Sequence, residues 1–162
     1  MEIPESVNVH IENNVLKVKG PHGEVQRTLS PFVTVNVNGR DIVVDGRGKA
    51  IINTTKAHLR NMLKGAKEGF RIKMKLIFAH FPITIEIKGK DVTIKNFLGE
   101  KQARKTTVIG NTKIEVKAKE QEVTFAGPDK EAIGATIANM RSAMRIKEKD
   151  GRVFQDGIYF TE

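Results

Sequence analysis

The side chains that could support catalysis are few and scattered along this chain. The histidines are far apart in the sequence and form no metal-binding spacing: His10, His22, His58 and His80. Gly46-Arg47-Gly48-Lys49 lacks the spacing and the following Ser or Thr of a phosphate-binding loop, so we interpret it as a turn before a helix. The absence of cysteine excludes disulfides and thiolate metal sites. The sequence therefore predicts a protein that is not an enzyme, with no catalytic residue, metal site, cofactor or small-molecule substrate.

Clusters of lysine and arginine offer a different chemistry, the binding of phosphate groups. The first cluster lies in a glycine-containing loop and comprises Lys95, Lys101, Arg104 and Lys105. The second begins on a predicted helix and continues past its end, through Arg141, Arg145, Lys147, Lys149 and Arg152. The third recurs at helical spacing, at Lys56, Arg60, Lys64 and Lys67.

The second cluster is the strongest candidate for a nucleic-acid interface. Arg141 and Arg145 are one helical turn apart, so both can reach the same strip of phosphates. Compensation of a helix dipole does not explain cations that continue to Arg152. The tail adds Gln155 and the only tyrosine, Tyr159, which could stack on a base or equally pack against the protein. For the third cluster, phosphate binding and dipole compensation are equally open.

The overall charge also indicates a polyanionic partner. Lysine and arginine number 28 against 19 acidic residues, which gives a net charge of +9. The isoelectric point of about 9.8 exceeds the value of roughly 9 that is typical of nucleic-acid-binding domains. No apolar run approaches the about 20 residues of a membrane span, and Met1–Glu5 has no secretory signal character. We expect a cytoplasmic protein with no membrane partner.

Strands and two helices must position these side chains. Apolar residues alternate with polar ones, as in strands, through Val7–Ile11, Leu16–Val18, Val33–Val37 and Ile42–Val44, and again through Ile83–Ile87, Val92–Ile94, Ile114–Val116 and Val123–Phe125. Helical spacing follows each set, from Ile52 to Leu63 and from Ile133 to Met144. The pattern is therefore strands, helix, strands, helix.

This order indicates an internal duplication. Lys19–Glu24 aligns with Lys95–Glu100 at an offset of 76 residues, and Leu59–Met62 aligns with Ile137–Met140 at an offset of 78. We therefore predict an α+β fold of two homologous units, residues 1–80 and 81–162, each an antiparallel β-sheet packed against one α-helix. Arg71–Phe78, in which basic and apolar residues alternate, is predicted to be the last strand of the first unit.

Three segments carry a family resemblance: Gly127–Asn139, Arg145–Lys147 and Arg152–Tyr159. They resemble the C-terminal signature of the family of universal large-subunit ribosomal protein six, whose eukaryotic counterpart is numbered nine. The similarity extends from Pro4 to Tyr159. The tail Phe154-Gln155-Asp156-Gly157-Ile158-Tyr159 is similar to the archaeal and eukaryotic branch, and the compact length favours the archaeal form.

The resemblance implies a structural component of the cytoplasmic ribosome. Its second unit would bind 23S-type rRNA near the sarcin–ricin loop, where translation GTPases land, and neighbouring ribosomal proteins would be further partners. The matching regions here are Lys95–Lys105 and Arg141–Tyr159. We expect the second unit to dominate binding although residues 1–80 have a net charge of +6 and residues 81–162 only +3.

Two other classes of function stay open from the sequence. A basic architectural DNA-binding protein would also be small and positively charged, but it would prefer duplex DNA to structured RNA. A protein-adaptor module would use its sheet edges, and its binding would be insensitive to salt.

Overall fold

The computed structural model describes residues 2–117 and 119–161. The first half of the chain forms β1 (Asn8–Glu12), β2 (Val15–Gly20), β3 (Gly23–Thr28), β4 (Val33–Asn38), β5 (Asp41–Gly46), α1 (Lys49–Glu68) and β6 (Phe70–Ile77). The second half repeats this order with β7 (Thr84–Lys88), β8 (Asp91–Lys95), β9 (Arg104–Thr107), β10 (Lys113–Lys117), β11 (Glu122–Gly127), α2 (Lys130–Ala143) and β12 (Gly157–Phe160). A short 3₁₀-helix, Phe97–Gly99, separates β8 from β9. The α+β class and the repeated order of elements are as predicted.

Met1–Phe70 together with Gly127–Lys130 forms the first compact unit. Its strands make a three-stranded antiparallel sheet, β1-β2-β3, and a two-stranded antiparallel sheet, β4-β5. Helix α1 contacts strands of both sheets and buries Leu59, Met62 and Leu63 in the shared core. The apolar stripe of the helix therefore faces the alternating apolar residues of the strands.

Close backbone packing holds α1 against the β2–β3 turn and against residues 127–130. The backbone N–H of His22 donates to the carbonyl oxygen of Ala66 at 3.1 Å. A Cβ on Gly65 would overlap the carbonyl oxygen of Pro128 and would lie 2.8 Å from the Phe70 ring. Only glycine fits at position 65 because backbone, rather than a flexible side chain, occupies the space.

The substitution of glycine by alanine is therefore expected to have opposite effects in the two helices. Gly65→Ala should lower the free energy of unfolding by about 1–3 kcal/mol through overpacking. Gly134→Ala should raise it by about 0.5–1 kcal/mol, because Gly134 is exposed within α2 and no atom lies within 4 Å of an added Cβ. Denaturant unfolding of both variants measures the difference, and shifts of the same sign would contradict the close contact at Gly65.

Arg71–Ala126 together with Glu131–Glu162 forms the second unit. It contains a three-stranded antiparallel sheet, β7-β8-β9, and a four-stranded sheet in the order β10-β11-β6-β12. Buried side chains of α2 include Ile133, Ile137 and Met140. Met140 and its repeat counterpart Met62 are both buried, as the alignment of the two halves predicts.

The position of β6 differs from the prediction. This strand closes the first repeat in the chain, yet in space it lies in the sheet of the second unit, between β11 and β12. It pairs antiparallel with β12, with Ile77 opposite Gly157 and Met74 opposite Phe160. Its residues Met74 and Leu76 are buried there. The compact units therefore divide the chain after Phe70, before the predicted boundary at His80, and each unit contains two antiparallel sheets.

Candidate nucleic-acid interface

The first basic cluster lies on the loop between β8 and β9 and on β9 itself. Asn96 and Leu98 have positive φ angles of 59° and 52°, which produce a sharp turn around the buried Phe97. The side-chain amide of Asn96 donates to the carbonyl oxygen of Pro82 at 3.1 Å. This anchored turn leaves Lys101 exposed to solvent.

Arg104 uses its whole guanidinium group within the protein. Its Nε and one terminal nitrogen donate to the two carboxylate oxygens of Glu100, at 2.9 and 2.6 Å. The other terminal nitrogen donates to the carbonyl oxygens of Ala143 and Arg145, at 2.8 and 2.7 Å. The group also lies 4.4 Å from the centre of the Phe97 ring, and the side chain is 17% exposed. Arg104 therefore fastens the β8–β9 loop to the C-terminal end of α2.

Glu100 is held ionised by this contact. The hydrogen bond from Arg104 is the main cause of its lowered pKa, and the charges of Arg104, Lys149 and Lys147 lower it further, whereas burial opposes the shift. Because the folded protein binds the proton less well than the unfolded chain, the pair stabilises the fold above the ordinary carboxyl pKa of 4.5. That stabilisation is lost as the pH falls through the lowered value.

Glu100→Gln should therefore make the protein less sensitive to acid. The variant should be less stable than the original protein at pH 7, and the difference should shrink as the pH falls below about 4.5. Thermal unfolding at pH 7, 4 and 3 measures it. If the stability difference between the two proteins stays constant from pH 7 to pH 3, the carboxylate charge of Glu100 contributes nothing to the stability of the fold.

Helix α2 and the residues that follow it present the second basic cluster, because apolar and polar side chains lie on separate faces there. Met140 and Met144 are buried, while Arg141 and Arg145 are exposed. On the same helix, the side-chain amide of Asn139 donates to the carbonyl oxygen of Thr107, at the end of β9, at 3.4 Å. The two basic clusters of the second unit therefore meet at the C-terminal end of this helix.

Three adjoining depressions share Ser142 in their walls, with volumes of about 570, 750 and 450 Å³. Arg141, Arg145 and Tyr159 also line the first, and Lys105 lines the second and the third. We call this region the Ser142 surface and define it by Lys105, Arg141, Ser142, Arg145, Lys147 and Tyr159. Four cations therefore surround one small hydroxyl side chain.

Three carboxylates also line these depressions, and they differ in their exposure and in their partners. Glu100 is bound by Arg104, and Asp156 is 5% exposed. Asp91 faces the second depression. The cations around Ser142 therefore outnumber the carboxylate charge available to them, which favours a negatively charged partner.

The C-terminal strand fixes the aromatic side of the surface. The Tyr159 hydroxyl donates to the carbonyl oxygen of Gln155 at 3.0 Å, and the side-chain amide of Gln155 donates to the carbonyl oxygen of Arg152 at 3.3 Å. Tyr159 is 41% exposed, so part of its ring is free for stacking while its hydroxyl is held. Arg141 lies over the ring of Phe160, 5.6 Å from its centre.

Other predicted site residues have partners within the protein. Lys95 pairs with Glu86 at 2.7 Å, and Arg152 pairs with Asp150 through two hydrogen bonds of 3.1 and 3.0 Å. The ammonium group of Lys149 lies 4.7 Å from the centre of the Phe154 ring. These side chains remain on the surface, but a phosphate would have to compete with their present contacts.

Sequence reasoning did not identify Ser142 or the internal role of Arg104. Ser142 is a small polar residue between Arg141 and Arg145, so its place in the pattern gave a weak signal. The charge of Arg104 suggested a phosphate contact. Its internal role cannot be read from the sequence, because its carbonyl partners lie 39 and 41 residues further along the chain. Only the fold brings them together.

Among residues 2–117 and 119–161, no group of three His, Cys, Asp or Glu side chains is arranged to hold a metal ion. Neither helix in that part of the chain combines the length and apolarity needed to cross a membrane.

Comparison with known proteins agrees with the repeated architecture. The family model described as "Ribosomal protein L6" matches residues 3–69 and again residues 81–157. The first match contains β1–β5 and α1, and the second contains β7–β11 and α2, whereas β6 lies between the two matches and β12 begins at the last residue of the second.

Curated relatives with the name "Large ribosomal subunit protein uL6" match almost the whole chain. The protein of Methanobrevibacter smithii is 46% identical over 98% of this chain and 92% of its own length. That of Methanosarcina mazei is 40% identical over 100% of this chain and 94% of its own length. That of Haloarcula marismortui is 39% identical over 99% and 93%.

Proposed function

The chain belongs to the ribosomal protein L6 family, and from this premise we propose that it binds large-subunit rRNA through the Ser142 surface. Membership makes the chain an archaeal-type component of the large ribosomal subunit in the cytoplasm, with a structural role rather than a catalytic one. Association with large-subunit rRNA and with other ribosomal proteins follows from that role.

The observation that carries the proposal is the convergence of two basic clusters around Ser142. Lys105 comes from β9, Arg141 from α2, and Arg145 and Lys147 from the segment after α2. Internal hydrogen bonds hold these segments in place. Cations on such segments can contact several phosphates without a large loss of side-chain and loop entropy. The half-exposed ring of Tyr159 adds a stacking platform for an unpaired base.

Within this proposal, the predicted residues divide into three groups. Lys101, Lys105, Arg141, Arg145, Lys147 and Tyr159 contact the RNA directly. Arg104 holds the loop and the end of α2 in place, while Lys95, Lys149, Arg152 and Gln155 act at the margin. We place the bound rRNA next to the sarcin–ricin loop and the landing site of translation GTPases, on the strength of the family resemblance.

Binding of the tagged full-length protein to a transcribed large-subunit rRNA fragment tests this function. We expect tighter binding to that fragment than to duplex DNA of the same length, and an affinity that falls as salt rises. Equal binding to duplex DNA would favour an architectural DNA-binding protein. Capture of protein partners that is insensitive to salt, without bound rRNA, would favour an adaptor module.

A further inference from the structure

We propose that one face of helix α1 is a second phosphate-binding surface, which takes the backbone of an RNA. The surface is a stripe of basic residues in the first unit, and we call it the α1 stripe: Lys49, Lys56, Arg60, Lys64 and Lys67. The inference goes beyond the proposed function, which uses the second unit, and rests on it only in taking large-subunit rRNA as the RNA.

The stripe is narrow, and within α1 the one uncharged residue that shares its sector is the exposed Asn53. With 3.6 residues per turn, its five side chains project within a sector about 80° wide, along about 27 Å of helix. All five are exposed. Lys56, Arg60 and Lys64 follow one another at successive helical turns, a spacing of about 6 Å along the axis.

The rest of the exposed helix surface is different. The neighbouring sector, between the stripe and the far edge of the core, contains Ala50, Thr54, Ala57, Asn61 and Glu68. Within α1, every residue of which the structure describes, no cation lies in that second sector. Cations that served only solubility would have no reason to avoid half of the solvent-facing surface, so the segregation indicates a partner.

The helix dipole does not account for the stripe. Lysine or arginine near a C-terminus is favourable, which explains Lys67. Lys49, however, is the first residue of the helix, where the dipole favours an anion, and no acidic residue occupies the first turn. Lys56 and Arg60 lie in the middle, beyond the reach of either end.

The stripe is also uncompensated. In residues 2–117 and 119–161, the one ion pair made by a stripe residue joins Lys67 to Glu68 at 3.7 Å. Lys56–Arg60, Arg60–Lys64 and Lys64–Lys67 are like-charge neighbours three or four residues apart, which destabilise a helix. A polyanion along the stripe would remove this repulsion. A protein surface with scattered carboxylates would match a straight row of cations less well than the regular charges of a nucleic-acid backbone.

The experiment uses three forms of the full-length chain and one rRNA fragment. The stripe variant carries Lys56→Gln, Arg60→Gln and Lys64→Gln. The relocated variant carries these changes together with Thr54→Lys, Ala57→Lys and Asn61→Lys, so that its net charge returns to that of the original protein while the cations move to the second sector. Affinity is measured at several salt concentrations.

We expect the stripe variant to bind at least fivefold more weakly at 0.15 M salt and to lower the slope of log affinity against log salt by at least about 0.9, the value of one lost phosphate contact. The relocated variant should not regain the loss. The stripe variant alone should also melt about 2–3 °C higher than the original protein at low salt, because its like-charge neighbours are gone. A residue needed only for folding would lower the melting temperature instead.

Two results would overturn the inference. One is unchanged affinity of the stripe variant for the rRNA fragment, whether or not it loses binding to poly-glutamate, the probe for an acidic protein partner. The other is full recovery in the relocated variant, which would mean that only net charge matters. If the stripe variant binds normally while substitutions at the Ser142 surface abolish binding, the inference fails and the proposed function stands. If neither set changes binding, both fail.

Discussion

Replacing Arg141, Arg145 and Lys147 with glutamine is expected to weaken binding to large-subunit rRNA on the order of a hundredfold at 0.15 M salt. Each phosphate contact contributes about fivefold at this salt concentration if counterion release gives a slope near 0.9 per contact. The slope of log affinity against log salt should therefore fall by roughly three units. The fold should remain intact, because the three side chains are exposed.

A control within the same unit has the same effect on net charge. Lys113, Lys117 and Lys119 are also exposed, but they alternate with glutamates, and Lys117 pairs with Glu120 at 3.0 Å. Their replacement by glutamine should reduce affinity less than about fivefold. Replacement of Lys56, Arg60 and Lys64 should fall between the two. If the Lys113 set weakens binding as much as the Arg141 set, binding follows total charge and the Ser142 surface has no special role.

Arg104→Gln is expected to lower the free energy of unfolding by about 2–3 kcal/mol, although it removes only one surface charge. The change breaks hydrogen bonds to Glu100 and to the carbonyl oxygens of Ala143 and Arg145, and hydrogen bonds that involve a charged group are the stronger class. Denaturant unfolding measures the loss. Hydrogen exchange should also accelerate in residues 143–149, because the hydrogen bonds from Arg104 that hold the start of that segment are lost.

Arg152 provides the matched control for this prediction. It also binds a carboxylate through two nitrogens, with Asp150 as its partner, but its side chain is 90% exposed. Arg152→Gln should change the free energy of unfolding by less than about 0.5 kcal/mol, because solvent screens exposed pairs. Equal losses at both positions would show that the partly buried position of Arg104 contributes nothing.

The fold was predictable from the sequence where one face of an element is clearly apolar. Val33, Val35 and Val37 alternate and form β4, and the helical stripe before Gly65 forms α1. Strand β3 was missed because Val25 is its only apolar residue, and β12 was missed because Ile158, Tyr159 and Phe160 are consecutive rather than alternating. Local pattern cannot show which sheet a strand joins, which is why β6 was assigned to the wrong unit.

The candidate site was predictable as charge but not as geometry. Composition and spacing identified every cation of the Ser142 surface, because charge is a property of the residue type. The division between free and bound cations depends on partners that are distant in sequence. Arg104 and Lys105 are adjacent in the chain. The guanidinium group of Arg104 forms hydrogen bonds within the protein, whereas Lys105 lines two open depressions.

The place of β6 between β11 and β12 has a consequence for the timing of synthesis. The strand is complete at Ile77, but β11 begins at Glu122 and β12 only at Gly157. At about 5–20 residues per second, roughly 4–16 s separate the translation of β6 from that of its last neighbour. Both edges of the strand have unpaired backbone groups until β11 has been made, and the edge that β12 covers keeps them until the end of the interval, so that another chain can pair there. The nascent chain is therefore most exposed to aggregation after its first repeat has been made and before its last strand has been translated.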